Sequence, residues 1–332
     1  MSRARDLADL GGSADAGGLT GANALINGQF AVAQRGTSFT SGSNNDTDYT
    51  LDRWKLFSDG NDVVDVTQET STVPTNRQYA IALDVETANK KFGIAQIIEQ
   101  KNCVNLIGET VTLSFQAKVS ATTNLDNIKA AIIAWDGTAN EPTDDMISAW
   151  GAEGTDPTLA TNFTYENTPA NLNLTTSYAT YSVTASVDTA SAKNIIVFIW
   201  SDVTTTSAGE FLYLSDVKLE AGQTATPYQH EDISTTFSKC QRYFETGKTG
   251  AAGGLSAGSG YIGAMVSYNT IKIEAASLAQ SNQTYTNINS NNVNLGFAGG
   301  TACNDTIGFV HSGINGGAAA AYVLTYTADA EL

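Results

Sequence analysis

Thr110-Val111-Thr112-Leu113-Ser114-Phe115-Gln116-Ala117-Lys118-Val119 alternates without a break. Val111, Leu113, Phe115, Ala117 and Val119 fall on one side, and Thr110, Thr112, Ser114, Gln116 and Lys118 on the other. A period of two with a single apolar row describes a strand with one face in a core and one in water. The pattern recurs in both directions from here. Downstream, Tyr181, Val183, Ala185 and Val187 alternate with Thr180, Ser182, Thr184 and Ser186. Ile195-Ile196-Val197-Phe198-Ile199-Trp200 is an unbroken apolar run, suited to a strand covered on both faces. Residues 211–219 close the series; within them Asp216 is expected to face away from Phe211, Tyr213, Val217 and Leu219, and so to be solvated or paired. Upstream, residues 128–135 end at Asp136-Gly137, and Tyr79, Ile81 and Leu83 alternate with Ala80, Ala82 and Asp84. Residues 54–57 and 63–66 flank Asp59-Gly60-Asn61, which reads as a hairpin turn. About ten turn-separated strands predict an all-β chain built on a sandwich or jelly roll.

Composition agrees. Of 332 residues 42% are apolar, enough for a substantial core, and only 15% are charged, against roughly 25% in an average soluble domain. Ser, Thr, Asn and Gly fill the difference, and uncharged polar side chains suit exposed strand faces because they avoid like-charge repulsion across a ladder. A net charge of −17 repels phosphate backbones, so no nucleic-acid partner is expected. The same charge favours solubility and can attract divalent cations. Cys103, Cys240 and Cys303 are odd in number and widely spaced, which makes neither a disulfide framework nor a metal cluster. The N-terminus lacks a secretory apolar segment. No apolar run approaches the ~18 residues that cross a bilayer, so membrane insertion is not expected.

Four segments follow from the pattern. Residues 1–24 form an arm: a short helix over 2–10, capped by Ser2 and ended at Gly11, then a glycine-rich tether. Residues 25–229 are the jelly-roll sandwich. Residues 230–247 form a linking helix, with Ile233, Phe237, Cys240 and Phe244 at helical spacing and Gly247 past its end. Residues 248–332 make a smaller β domain, with strands at 262–268, 271–275, 293–297, 307–311 and 322–326. The stretch 137–171, with Pro142, Pro157 and Pro169, reads as a long loop and a candidate binding loop.

Two segments carry a resemblance. Leu25-Ile26-Asn27-Gly28-Gln29-Phe30, then Gln34-Arg35-Gly36-Thr37-Ser38-Phe39 and Tyr49-Thr50-Leu51-Asp52-Arg53-Trp54, resemble the opening of many phage and prophage tail-fibre-type proteins. Residues 211–222, continuing through Ala225-Thr226-Pro227-Tyr228 to Cys240-Gln241-Arg242-Tyr243-Phe244-Glu245, are similar to the ending of the same proteins. Ala33 stands where that family often has Trp. The likeness covers about residues 25–245. It implies a jelly roll similar to carbohydrate-binding modules, on a virion appendage that faces the host. The tethered helix outside that likeness cannot bury itself alone, so it is expected to attach to the particle through Arg3, Arg5, Leu7 and Leu10, a disordered tail being the alternative. In such jelly rolls a structural calcium often bridges the first and last strands. Asn27 and Asp216 are the positions that would hold one here, a solvated Asp216 being the alternative.

Little in the sequence speaks for catalysis. His230 and His311 fall in different predicted domains, and no nucleophile-elbow motif accompanies them. Glu141, Asp144 and Asp145 offer the paired carboxylates of a glycosidase or a solvated acidic loop. No phosphate-binding loop, dinucleotide fingerprint or zinc spacing is present. Aromatic side chains are the better candidates for glycan contact: Trp135, Trp150, Tyr165 and Tyr178 flank or occupy the 137–171 region, and flat rings stack on sugars. Packing under the loop is the alternative role for each.

Three readings result. The first is a non-enzymatic tail fibre or related virion protein, a homotrimer assembled in the bacterial cytoplasm, that contacts other virion proteins and host cell-surface polysaccharide. The second is a capsid or tail decoration protein with a purely architectural role. The third, a carbohydrate-binding fragment of a secreted enzyme, is disfavoured by the missing signal peptide and catalytic constellation. Retention of bacterial cells or surface glycans separates the first two.

Overall fold

The computed structural model describes residues 21–254, 260–286, 294–295, 307–314 and 319–332. The proposed N-terminal helix, with Arg3, Arg5, Leu7 and Leu10, lies outside the described residues, as does Cys303. The chain divides into two compact units, Met1–Asp232 with Leu332, and Ile233–Glu331.

The first unit contains, in order, β1 (Ser38–Phe39), β2 (Lys55–Ser58), β3 (Val64–Glu69), β4 (Ala80–Val85), β5 (Phe92–Ile98), α1 (Gln100–Cys103), β6 (Thr110–Val119), β7 (Ile128–Trp135), β8 (Ile147–Ala149), β9 (Thr158–Leu159), β10 (Phe163–Tyr165), β11 (Ala179–Ser186), β12 (Asn194–Ser201) and β13 (Phe211–Ala221). Sheet one has the order β1-β3-β4-β13-β6-β11 and sheet two the order β10-β7-β12-β5-β2. All their pairings are antiparallel. This is the all-β sandwich of jelly-roll type that the alternation predicts.

The apolar row of β6 packs with Ile81, Leu83, Leu212 and Leu214 of sheet one against Ile94, Ile132, Val197 and Ile199 of sheet two. Each such buried side chain contributes roughly 1.5–3 kcal/mol by removal from water. The run 195–200 is buried throughout because its second face is also covered. Met146, Ile147 and Phe163 lie over Ile133, Ile196, Phe198 and Trp200. The 137–171 stretch is therefore no free loop: it forms β8 and β9, which roof the outer face of sheet two, and β10, which extends that sheet at its edge.

Buried charges staple this roof. Lys91 and Asp202 are fully buried and paired. The Lys91 ammonium also donates to the carbonyls of Trp150 (3.3 Å), Ala152 (2.9 Å) and Thr155 (3.3 Å). Lys129 joins Asp202 (2.9 Å) to Asp156 (2.8 Å), and the Gly154 amide donates to Asp202 at 2.9 Å. A buried ion pair is tolerated only when its remaining donors and acceptors are satisfied, and here the roof's own backbone supplies the acceptors.

One predicted hairpin is absent. β2 pairs with β5 while β3 pairs with β4, so Asp59-Gly60-Asn61 crosses between sheets. The turn residues are right for a reversal, with Gly60 at φ 132° and Asp62 at φ 54°. Yet Lys55–Ser58 is buried on both faces and can only be satisfied in the covered sheet.

The second unit comprises α2 (Ile233–Gln241), β14 (Phe244–Gly254), β15 (Gly260–Ser267), β16 (Ser277–Thr286), β17 (Asn294–Leu295), β18 (Ile307–Ile314) and β19 (Ala319–Asp329). Its sheets are β14-β19-β16 and β15-β18-β17. The helix stops at Gln241 instead of reaching Gly247, because Phe244 and Glu245 are buried at the start of β14. Ile233 and Phe237 are exposed, and Thr236, Cys240 and Gln241 carry the buried face. Residues 271–275 form no strand. Lys272 is buried there against Glu245 (2.8 Å), and the Asn269 amide also donates to Glu245. Arg242 donates to the Ile271 carbonyl at 3.0 Å. The 240–245 motif is thus the clasp of this loop.

Candidate functional site

Within the first unit, the start of the opening segment and the strand β13 of the closing one, some 190 residues apart, lie against each other. Residues 21–29 run along β13: the Ala24 amide donates to the Leu219 carbonyl (2.9 Å), the Val217 amide to the Gly28 carbonyl (2.9 Å), and Asn23 Nδ2 to the Val217 carbonyl (2.9 Å). Residues 21–24 therefore belong to the sandwich and not to the arm. A Cβ on Gly28 would stand 2.1 Å from the Val217 oxygen, which is why glycine follows Asn27. Asn27 and Phe30 turn the chain with φ near +58°, and Phe30 packs on Trp54 with ring centroids 5.1 Å apart.

At this seam β13 is broken by a bulge between Ser215 and Lys218. Asp216 takes φ 52° there. The extra residue reverses the facing of the strand, so Phe211 and Tyr213, stacked at 5.5 Å, lie on the same outer face as Asp216, while Val217 and Leu219 point into the core. The expected facing of Phe211 and Tyr213 is corrected accordingly: a bulge shifts the period by one residue.

Asp216 is almost fully buried and amply supplied with donors. Arg77 Nε donates to both of its oxygens at 2.8 Å, Gln116 Nε2 at 2.6 Å and Gln29 Nε2 at 3.0 Å. Hydrogen bonding to Asp216 holds the Arg77 guanidinium above its ordinary pKa. On the far side Gln29 Oε1 meets His230 Nδ1 at 2.9 Å. Downstream, the buried pair Lys218–Glu220 (3.1 Å) grips Thr226, whose amide and hydroxyl each donate to Glu220 at 2.7 Å. That grip sets Pro227 and Tyr228 as the wall of a cleft of about 390 Å³, whose polar lining includes Arg77, Ser114, Gln116, Thr180, Asp216 and Thr226 itself. Burial pushes the Tyr228 phenol up, so it stays a neutral donor.

This disposition does not suit the calcium pair. Asn27 donates from Nδ2 to the carbonyls of Val32 (2.9 Å) and Asp52 (3.1 Å) and accepts from the Val32 amide at Oδ1. Asp216 is held by a guanidinium, which a cation would have to displace. No group of three or more His, Cys, Asp or Glu suited to a metal occurs among the described residues.

The four aromatic candidates are divided. Trp135 is buried, donates from its indole to the Thr138 carbonyl at 2.7 Å and packs on Phe163. Trp150 is half-buried against Phe198, and Tyr165 lies near Trp200 with its hydroxyl donating to the Pro157 carbonyl at 2.9 Å. These three hold the roof onto sheet two. Tyr178 is alone on the other side of the sandwich, on the outer face of sheet one. There Lys118 lies between its ring and that of Tyr213, at 5.9 and 5.4 Å, and its hydroxyl donates to the Thr72 carbonyl. Asp144, largely exposed, pairs with Lys55 at 2.6 Å, and Asp145 accepts from the Ile147 amide.

Sequence reading missed Arg77, Gln116 and Tyr228 as a group. Gln116 stood out only as a member of a polar row, and Arg77 lies in a connecting loop with no motif. The one signal was Asp216, a carboxylate inside a strand that required a partner.

No protein-family model matches the chain, and no curated protein matches it. Among solved structures it is similar to the enzymatically active domain of bacteriophage CBA120 tailspike protein 4, at 16% identity and a TM-score of 0.36, over 60% of this chain and 21% of that one. It is similar to carbohydrate-binding modules from the β-sandwich superfamily, at 11% identity and a TM-score of 0.36, over 55% of this chain and 62% of that one. It is also similar to the CBM22-1 xylan-binding domain of Paenibacillus barcinonensis Xyn10C, at 13% identity and a TM-score of 0.33, over 62% of this chain and 98% of that one.

Proposed function

We propose that the chain is a non-catalytic, carbohydrate-binding structural protein of a bacteriophage particle, and that it meets host surface polysaccharide with the outer face of sheet one. The observation that carries this reading is the cleft at Asp216. It offers guanidinium, amide and hydroxyl groups beside a Tyr–Pro wall, in a volume of about 390 Å³ that falls in the range of small-ligand sites. Polar groups fixed in place before the ligand arrives, next to an aromatic ring, are what sugar recognition needs. The outer face of sheet two is already filled by the chain's own roof. The virion part of the reading is supported by the paired segments 25–54 and 211–245 and their likeness to tail-fibre-type proteins.

Co-sedimentation of the purified chain with host cells and with isolated surface polysaccharide tests it. Retention is expected for the wild type and for Trp150→Ala, and loss for Arg77→Ala and Tyr228→Ala. Retention by no cell or polysaccharide, or release of sugar fragments by the isolated chain, would overturn it. Immunogold labelling of intact particles tests the virion location.

A further inference from the structure

The cleft's charge and hydrogen-bond inventory narrows the class of sugar, given that the carbohydrate-binding reading holds. Its charged lining residues are Arg77 and Asp216, and they neutralise each other. Asp216 already accepts from Gln29, Arg77 and Gln116. It has no free edge with which to capture an ammonium group. The guanidinium gives Nε to Asp216 and one Nη1 hydrogen to the Asn76 carbonyl (3.2 Å), which leaves both Nη2 hydrogens and the second Nη1 hydrogen as donors. Because Gln116 donates Nε2 to Asp216, the orientation of its amide is set, and Oε1 is the free acceptor. Thr180, exposed on the edge strand β11, and Ser114 add hydroxyls that can both donate and accept.

A fixed donor beside a fixed acceptor matches neighbouring hydroxyls on a sugar ring, where one oxygen accepts and the next donates. An anionic sugar would meet a guanidinium already paired, within a chain of net charge −17 whose field opposes its approach. An amino sugar would find no unpaired carboxylate in the lining.

We infer that the cleft binds an uncharged pyranose, with two adjacent hydroxyls held between Arg77 and Gln116 Oε1, a third contact from Thr180, and the apolar face of the ring against Tyr228. Arg77 and Gln116 are then contact residues, and Asp216 is a positioning residue that aims both.

Calorimetric titration of the full chain with a neutral polysaccharide, a uronate-bearing one and an amino-sugar polymer, each at low and high salt, tests this. Binding of the neutral polymer with little salt dependence is expected. Thr180→Val, which swaps a hydroxyl for a methyl on an exposed strand, is expected to weaken binding about fivefold. Gln116→Leu is expected to weaken it about tenfold or more. Unchanged tryptophan fluorescence checks that both variants fold. Binding only to the uronate polymer, abolished by salt, would overturn the inference and leave carbohydrate binding standing, as would neutral binding indifferent to both substitutions. Failure of all three polymers would remove the carbohydrate-binding reading itself.

Discussion

Replacing Asp216 by Ala tests the seam where the two ends of the sandwich meet. The substitution removes the acceptor of three side-chain donors, Gln29 at 3.0 Å, Arg77 at 2.8 Å and Gln116 at 2.6 Å. Hydrogen bonds to a charged group contribute about 1.5–3 kcal/mol each, and the half-buried amides of Gln29 and Gln116 take the lower end of that range. Arg77 retains 25% of its side-chain exposure and can turn to water, so its share is discounted. Backbone adds a second cost. At φ 52° an Ala pays about 1 kcal/mol that Gly does not. Asp216→Ala is therefore expected to cost about 4 kcal/mol and Asp216→Gly about 3 kcal/mol. Urea unfolding read by tryptophan fluorescence isolates the effect, because Trp54, Trp135, Trp150 and Trp200 all belong to the first unit. A shifted midpoint with an unchanged slope is the signature of lost stability. The reasoning is refuted if Asp216→Ala lies within about 0.5 kcal/mol of wild type, or if Asp216→Gly is no more stable than Asp216→Ala.

Three further outcomes are expected. Asp84 is pushed up to about 6 by burial and then by Glu86 and Asp65; its unfolded value is lower, so the unfolded chain loses this proton first as pH rises from about 4 to 6. Asp84 should lower stability by about 1–2 kcal/mol across that window after allowance for solvent screening, and Asp84→Asn should remove that share of the slope; urea midpoints at stepped pH check this, and a wild-type slope retained by the variant would count against it. Lys91→Met should cost about 3 kcal/mol by leaving Asp202 with Lys129 as its remaining ammonium partner, and should speed amide exchange over residues 147–160; protection equal to wild type would show that the staple is not needed. The Cys103 thiol, raised to about 11 by burial, should react with a maleimide only after unfolding, and peptide mapping that finds it labelled in the native chain at mild alkaline pH would contradict the burial.

Wherever one physical signal acted alone, the fold was legible. The unbroken run of β12 named a strand covered on both faces, and the alternation of β6 named its core row, although Thr112 and Ser114 of its polar row are covered and not in water. Tertiary context decided the rest. Asp59-Gly60-Asn61 has the residues of a tight turn, but turn chemistry does not say whether the strands on either side share a sheet. The bulge at Asp216 carries no glycine to announce it, so the facing of Phe211 and Tyr213 was read with the wrong parity. β14 begins inside a stretch of helical spacing and continues through Gly250 and Ala251, residues of low strand propensity that are held by pairing with β19. For Trp135, Trp150 and Tyr165 the alternative role, packing, is the one the structure shows; composition alone does not reveal that the 137–171 region lies on Phe198 and Trp200. The cleft itself draws on residues 77, 116, 180, 216 and 228, five places on the chain that only the folded order of strands assembles.

That order has a bearing on how the unit comes together during synthesis. β13 is the middle strand of sheet one, with β4 on one side and β6 on the other, and it is the last strand of the unit to leave the ribosome. Until it arrives, β3–β4 and β6–β11 are two separate ribbons with open inner edges, and the opening segment 21–29 has nothing to lie against. Closure is consequently a late event governed by contacts across nearly two hundred residues, the kind that form slowly. A nascent chain that stops short of residue 211 displays unpaired edges that invite association with its neighbours.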